Sequence, residues 1–194
     1  MDCISSLSDT TKQGISISCH VSGMEWIQDK KELWISVEKQ GLFAYSMKDN
    51  TLRLIFEPPL SISTFSRIGT RLWYGQYLDN LYSIDTGFSE NPSQFKDCDG
   101  AEVFSGETVN DILAGGHNRI YAGTTSGLLE INLTTGKAKK ILSGYVRSLD
   151  FRDNDELWAG SESGLYIIDT QDGSILRHIV TPDQDEPYSL ADNA

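Results

Sequence analysis

The sequence is poor in cysteine and in basic residues, and it has no long apolar run. Its three cysteines, Cys3, Cys19 and Cys98, are odd in number and lack C-x-x-C spacing, so we expect no disulfide framework, although a Cys19–Cys98 pair stays open. The 16 Lys and Arg are outnumbered by 28 Asp and Glu, and the net charge of −12 disfavours nucleic acid as a partner. Residues 1–13 are polar, which predicts neither a signal peptide nor a membrane span.

Helical periodicity is also lacking. No stretch keeps apolar residues at a spacing of about 3.6 between capping residues. With 17 Gly against 3 Met, and 39% hydrophobic residues over 194 positions, the composition favours a turn-rich β protein that is large enough to bury a core.

What is present is a repeated unit, clearest at residues 146–179. Four short segments with strand-like composition, 146–151, 157–160, 165–168 and 174–179, alternate with polar or Gly-containing turns. Segments this short, joined by tight turns, predict one sheet of four antiparallel strands.

Three further copies of this unit precede it. An aromatic residue recurs at intervals of about 40 residues, and Gly-Leu or Asn-Leu follows each aromatic, which is typical of a β-propeller. We predict an all-β fold, a single partial β-propeller domain over 1–194 that belongs to a ring of about seven blades. The predicted blades are 24–56, 61–95, 109–142 and 146–180, with 1–23 and 181–194 in flanking blades. The recurring aromatics, expected in the core between blades, are Trp34, Trp73, Tyr121 and Trp158.

The longest connector, 96–108, invites a metal hypothesis that the spacing does not support. Asp97-Cys98-Asp99-Gly100 with Glu102 lacks the third carboxylate of a calcium loop, so we interpret the segment as a solvent-exposed loop. The histidines share no spacing that suggests a metal triad or a general base; they are His20, His117 and His178. We therefore expect no metal, no cofactor and no catalytic residue.

Several motifs resemble the two-component regulator propeller repeat. They are the entry Val109-Asn110-Asp111-Ile112, the hairpin Trp158-Ala159-Gly160, the strand Ser163-Gly164-Leu165 to Ile168-Asp169, and the exit Tyr188-Ser189-Leu190-Ala191-Asp192-Asn193. The resemblance covers about residues 24–194 and is weakest in the second unit, where Asn80 replaces the glycine.

The resemblance implies a place in the sensor region of hybrid two-component histidine kinases. Such a region is periplasmic, recognises oligosaccharides derived from glycans, and regulates genes of glycan breakdown. The implied partners are the remaining blades and sensor domains of a parent receptor, with a possible homodimer through that receptor. The kinase itself is absent from these 194 residues, so we expect a ligand-sensing segment that is not an enzyme.

Ligand recognition is expected on loops that folding alone does not explain. The loops between second and third strands, at 36–40, 75–80, 124–126 and 161–163, should lie with the inter-blade connectors on one face, opposite hairpins such as 152–155. Aromatic faces and charged groups suit sugar binding. The candidate ligand-binding residues are Trp26, Tyr77, Asp79, Tyr145, Arg147 and Glu162.

Two other classes of function stay open. A protein-interaction propeller of the WD-repeat type is disfavoured, because no G-H or W-D pairs mark the units. A propeller lyase or glycosidase would need carboxylates or a histidine clustered at the central channel, and the sequence places none there.

Overall fold

The computed structural model describes residues 20–88, 91–153 and 155–180, which form sixteen strands in four antiparallel sheets of four strands each. Each sheet is one propeller blade, and the blades are numbered I to IV in chain order. Blade I contains β1 (Val21–Ile27), β2 (Glu32–Val37), β3 (Gly41–Ser46) and β4 (Thr51–Phe56); blade II contains β5 (Ile62–Ile68), β6 (Arg71–Gln76), β7 (Leu81–Asp85) and β8 (Ser93–Gln94). Blade III contains β9 (Val109–Gly115), β10 (Arg119–Thr124), β11 (Gly127–Asn132) and β12 (Lys137–Ser143); blade IV contains β13 (Val146–Asp153), β14 (Glu156–Ser161), β15 (Gly164–Asp169) and β16 (Ile175–Ile179). No helix in the described part of the chain is long and apolar enough to cross a membrane.

The blades follow one another around an arc. Within each sheet the strands lie in chain order, so every neighbour is reached by a short hairpin. The first strands of the blades contact each other in sequence, β1 with β5, β5 with β9, and β9 with β13. The predicted all-β propeller segment of four-stranded blades is therefore confirmed.

Each blade has two faces because side chains alternate along a strand. We call the face that carries the recurring aromatic the forward face, since it packs on the next blade, and the opposite one the backward face. Trp34 is fully buried in a cluster with Leu72 and Tyr74 of blade II. Trp73 and Tyr121 are 7% and 1% exposed in the corresponding clusters that join blades II to III and III to IV.

A column of small residues lets consecutive blades approach closely. A Cβ atom added at Gly75 would lie 2.5 Å from Cβ of Val109 in blade III. One added at Gly123 would lie 2.9 Å from Cγ1 of Val146 in blade IV. Such a distance leaves no room for a side chain, so these glycines are required by packing between blades.

A hydrogen bond crosses each of the three blade boundaries at the same repeat position. The donor is a polar side chain on the first strand of one blade, and the acceptor is a main-chain carbonyl oxygen at the start of the next blade. The three bonds are Ser22 Oγ to Ile62 O at 2.7 Å, Ser63 Oγ to Val109 O at 2.6 Å, and Asn110 Nδ2 to Val146 O at 2.7 Å.

Trp158 departs from the expectation that the whole aromatic column lies in the core. It is only partly buried, and its indole Nε1 has no hydrogen-bond partner. Leu165, on the same face, is also partly buried, whereas its counterpart Leu128 is fully buried. The reason is that no further sheet among the described residues covers the forward face of blade IV.

Blade II is the irregular unit. Its outer strand β8 is only two residues long, and the connector that follows supplies core instead. Phe104 is fully buried and meets Phe95 edge to face at 5.8 Å between ring centroids. The expectation of a solvent loop over 96–108 is therefore wrong for Phe104, because a short outer strand leaves apolar surface for it to cover.

Candidate functional site

Three of the six candidate ligand residues contact one another on the rim face. This is the face formed by the loops between second and third strands and by the inter-blade connectors. The guanidinium of Arg147 lies 5.0 Å from the ring centroid of Tyr145, a cation–π arrangement. Its Nη2 is 3.6 Å from Glu162 Oε1, and both side chains are about two-thirds exposed, at 67% and 63%. The main-chain N–H of Glu162 donates to Tyr145 O at 3.3 Å, which joins the turn at 161–163 to the connector. An aromatic ring, a cation and a carboxylate therefore share one exposed patch.

Tyr77 and Asp79 form a second candidate patch on this face, in the loop between β6 and β7. The Tyr77 ring is 42% exposed. Asp79 is less free: its Oδ2 accepts the hydroxyl of Tyr82 at 2.8 Å, and its main chain pairs with Glu107. Burial, helped by Asp79, raises the pKa of Tyr82 to about 12. Tyr82 therefore stays protonated and fixes the Asp79 carboxylate.

Trp26 lies apart from the other five candidates. Its partner in the sheet register is Leu33, which places Trp26 on the backward face of blade I. The ring is 42% exposed, and its Nε1 donates to Gln28 Oε1 at 2.7 Å. Trp26 thus belongs to the backward face of blade I and not to the rim face.

Sequence reasoning missed two buried amides that flank the loop carrying Tyr77 and Asp79. Gln76 and Asn80 are 1% and 5% exposed, and the side-chain oxygen of each has no hydrogen-bond partner. A buried acceptor without a donor costs about 1–3 kcal/mol. The signal was available in part, because Asn80 stands where the other three units have glycine. At Gly127 an added Cβ would collide with the Leu142 carbonyl oxygen of the outer strand, which explains glycine at that position in blade III.

Within the described part of the chain, cavities open on both faces of the arc. One, of about 310 Å³, opens on the rim face between blades I and II and is lined by Lys39, Gln40, Gly41, Glu57, Pro58, Pro59, Leu60 and Ser61. The other, of about 520 Å³, opens on the opposite face between blades III and IV and is lined by Gly116, His117, Arg119, Tyr121, Asp155, Thr170 and Gln171. In the second cavity Arg119 Nη1 donates to Thr170 O at 2.6 Å, so its guanidinium serves to join two blades.

The connector residues Asp97, Cys98 and Asp99 bring three potential ligand atoms within 4.8 Å of one another. The cluster is explained by folding. Asp97 Oδ2 accepts the N–H of Ala138, and the Cys98 N–H donates to Gly136 O, so the loop is fastened to blade III. A hydrogen bond from the Cys98 thiol, followed by that from Ala138, lowers the pKa of Asp97. Cys98 is a free thiol, and Cys19 lies outside the described residues.

Comparison with known proteins gives likeness of fold only. No family model matches the sequence, and no curated protein matches it. Among solved structures, the extracellular domain of BT4673 from B. thetaiotaomicron, described as a hybrid two component system, is 19% identical, with a TM-score of 0.70 over 91% of this chain and 24% of that one. The corresponding domain of BT3049 is 16% identical with a TM-score of 0.67, over 90% of this chain and 26% of that one. The WD40 β-propeller domain of Doa1 is 14% identical with a TM-score of 0.58, over 82% and 56%.

These likenesses and the blade geometry define the class of molecule: the chain is a β-propeller segment. Its structural neighbours include the extracellular domains of two-component sensors, and it spans about a quarter of their length.

Proposed function

We propose that this chain is a ligand-binding propeller segment of an extracytoplasmic two-component sensor, with no catalysis of its own. The observation that carries the proposal is the fold likeness to two extracellular sensor domains, each matched over at least 90% of this chain. Because the chain spans only about a quarter of those domains, transmembrane signalling, kinase activity and any homodimer belong to other parts of a parent receptor.

The ligand we propose is a neutral oligosaccharide released from a complex glycan. Sugars offer apolar C–H faces that stack on aromatic rings and hydroxyls that bond to charged groups. Tyr145, Arg147 and Glu162 offer both kinds of contact within one patch. A net charge of −12 opposes the approach of acidic glycans, which favours neutral ones.

The second candidate patch on the rim face, formed by Tyr77 and Asp79, would add contacts to the same ligand. Tyr77 presents an exposed aromatic side chain on which a sugar could stack. We therefore expect Tyr77 to contribute to affinity and Asp79, which is held by Tyr82, to contribute less.

Isothermal titration of the chain with a panel of neutral and acidic oligosaccharides tests the proposal. Tyr145→Ala and Glu162→Ala should each weaken binding by about tenfold, the effect of losing one good contact. Gln171→Ala, in the cavity on the opposite face, is the control and should bind like the wild type. Loss of binding from Gln171→Ala alone would mean that the ligand binds on the face opposite the rim, which contradicts the proposal. A preference for acidic glycans would contradict the electrostatic argument.

A protein-interaction propeller is the second candidate, because the WD40 domain of Doa1 shares the fold. The likeness is weaker, with a TM-score of 0.58 against 0.70. The two proposals differ in what they bind: an interaction propeller would retain a protein and ignore every oligosaccharide of the panel.

A further inference from the structure

The loop between β6 and β7 carries a leucine in a backbone conformation that leucine disfavours. Leu78 has a φ of 51°, in the left-handed region where the Cβ of an L-residue comes close to the following carbonyl oxygen. Its side chain is 73% exposed, the highest value among the large apolar residues that the structure describes. Leu78 therefore carries backbone strain that burial of its side chain does not offset.

Two other left-handed residues show that folding does not require a leucine at this position. Lys39 stands, like Leu78, five residues after the recurring aromatic, and its φ is 60°, so blade I forms the corresponding loop with a polar side chain. Phe88, with a φ of 54°, is explained by packing, because its ring centroid lies 5.8 Å from that of Trp34. Leu78 is neither polar nor packed. A strained, exposed apolar residue of this kind points to a role in binding.

The tip of the loop, residues 77–79, is fixed by the inter-blade connectors on both sides. Each of its three N–H groups donates a hydrogen bond to a connector. The acceptors are Ser61 O at 3.2 Å from Tyr77 N, Thr108 Oγ1 at 2.9 Å from Leu78 N, and Glu107 O at 3.0 Å from Asp79 N. The tip is therefore preorganised, and with its N–H groups engaged it offers a ligand its exposed side chains.

Tyr77 and Leu78 offer adjacent apolar surfaces of different shape. The Tyr77 ring, 42% exposed, is flat and suits the C–H face of a sugar ring. Leu78 is a branched aliphatic group without a hydrogen-bonding atom in its side chain, so a sugar hydroxyl placed against it would lose water without compensation. The group that suits Leu78 is therefore itself apolar and is attached to the sugar. The net charge of −12 favours a neutral substituent over an acidic one.

We propose that Leu78 recognises an O-acyl substituent, such as an acetyl ester, on the neutral oligosaccharide bound at the rim face. This role rests on the proposed function, and it narrows the ligand class to esterified sugars. An acetyl ester replaces a hydroxyl, the group that Leu78 disfavours, by a neutral group that ends in a methyl. Burying that methyl against Leu78 should make the acetylated form bind about five- to tenfold more tightly than the unacetylated one.

Isothermal titration of the full chain with matched sugars tests the proposal. The probes are neutral oligosaccharides from acetylated xylan and acetylated glucomannan, each titrated before and after removal of the acetyl groups with mild alkali. The wild type should prefer the acetylated forms. Leu78→Asn should bind both forms with the affinity that the wild type has for the deacetylated one. Leu78→Met, which keeps an apolar side chain, should retain the preference.

Leu78→Asn also carries a signature that a structural role for Leu78 would not produce. Asparagine tolerates the left-handed region, so this variant should melt about 2–4 °C above the wild type while it loses the preference. Lys31→Asn is the matched control, since Lys31 has a φ of 53° and is exposed in the turn between β1 and β2, on the face opposite the rim. It should show a similar rise in melting temperature and keep the preference.

Equal affinity of the wild type for the two forms would overturn the proposal and leave the rim site intact. Failure of every oligosaccharide to bind would overturn the proposed function and this role together. A Leu78→Asn chain that keeps the preference, weakens both forms equally or melts below the wild type would also overturn the proposal. So would a Lys31→Asn chain that loses the preference.

Discussion

Trp34 and Trp158 occupy the same repeat position in different environments. Comparing them distinguishes packing within a blade from packing between blades. Trp34 is fully buried against blade II, and its Nε1 donates to Glu32 Oε2 at 3.1 Å. Trp158 is partly buried and its Nε1 lacks a partner. The contribution of a repeated residue to stability therefore depends on what lies beyond its own blade.

Replacing Trp34 with Ala should lower the free energy of unfolding by about 3–5 kcal/mol, as for a large aromatic removed from a packed core. Trp158→Ala should cost about 1–2 kcal/mol, since part of its surface is already in water. Urea denaturation of dilute protein measures both values. Equal costs for the two variants would mean that the Trp158 face is covered in solution.

Asp111 is a carboxylate held at the boundary between blades III and IV. Its Oδ2 accepts the N–H of Leu149 at 2.7 Å, and its Oδ1 accepts the N–H of Ile112. Burial raises the pKa of Asp111. A raised folded-state pKa means that stability is lost as pH rises from the unfolded pKa through the folded one, because the ionised form is disfavoured in the folded protein.

The variant Asp111→Asn removes this titration. The difference in melting temperature between variant and wild type should therefore shift in favour of the variant as pH rises through the Asp111 pKa. Asp172 gives the opposite sign, because hydrogen bonds from Ser174 lower the pKa of its carboxyl. The melting temperature of Asp172→Asn relative to that of the wild type should therefore fall as pH rises from acid. Thermal melts over a pH series measure the difference for both variants. A melting-temperature difference between Asp111→Asn and the wild type that stays constant with pH would contradict the assignment.

At the scale of the strand, glycine positions show how closely the third and fourth strands pack. A Cβ added at Gly127 would collide with the carbonyl oxygen of Leu142 on β12. Gly127→Ala should therefore cost about 1–3 kcal/mol from overpacking. Gly116→Ala is the control, since nothing lies within 4 Å of its added Cβ, and it should change stability by less than about 1 kcal/mol. Denaturant unfolding of the two variants gives the comparison.

The strands could be predicted because each blade repeats the same alternation and the same turns. Repetition also limits what a sequence shows. Phe104 has no counterpart in the other units, so its burial was not visible. The boundary donors Ser22, Ser63 and Asn110 share a position but differ in residue type, so a column of hydrogen bonds could not be read from their identity.

The candidate site was predictable only in part, for a related reason. Tyr145, Arg147 and Glu162 were assigned to one rim, and the structure brings them into contact. Trp26 met the same criterion, an aromatic without counterparts, but lies on the backward face of blade I. Absence of a counterpart marks any residue whose surroundings differ from those of the other units, and a ligand site is only one cause of such a difference.

At the scale of the molecule, blades II and III have both faces covered by described neighbours, whereas blades I and IV each have one such neighbour within residues 20–180. Repeat arrays gain much of their stability from such interfaces. Hydrogen exchange of dilute protein should therefore show slower exchange in β6 and β10 than in β2 and β14. Uniform protection of all four central strands would indicate that the outer faces are covered as well.

The order of strands within each blade also bears on how the chain is made. Every described sheet is built from neighbours in sequence, and each of blades I to III packs on the blade that follows it. A nascent chain leaving the ribosome can therefore complete one sheet before the next is translated, because none of its strand pairs waits for a distant segment. The forward aromatic of the newest blade stays uncovered only until the next unit emerges. During synthesis from the amino terminus, the forward face of only the newest blade is therefore uncovered. This shortens the time in which that face can aggregate.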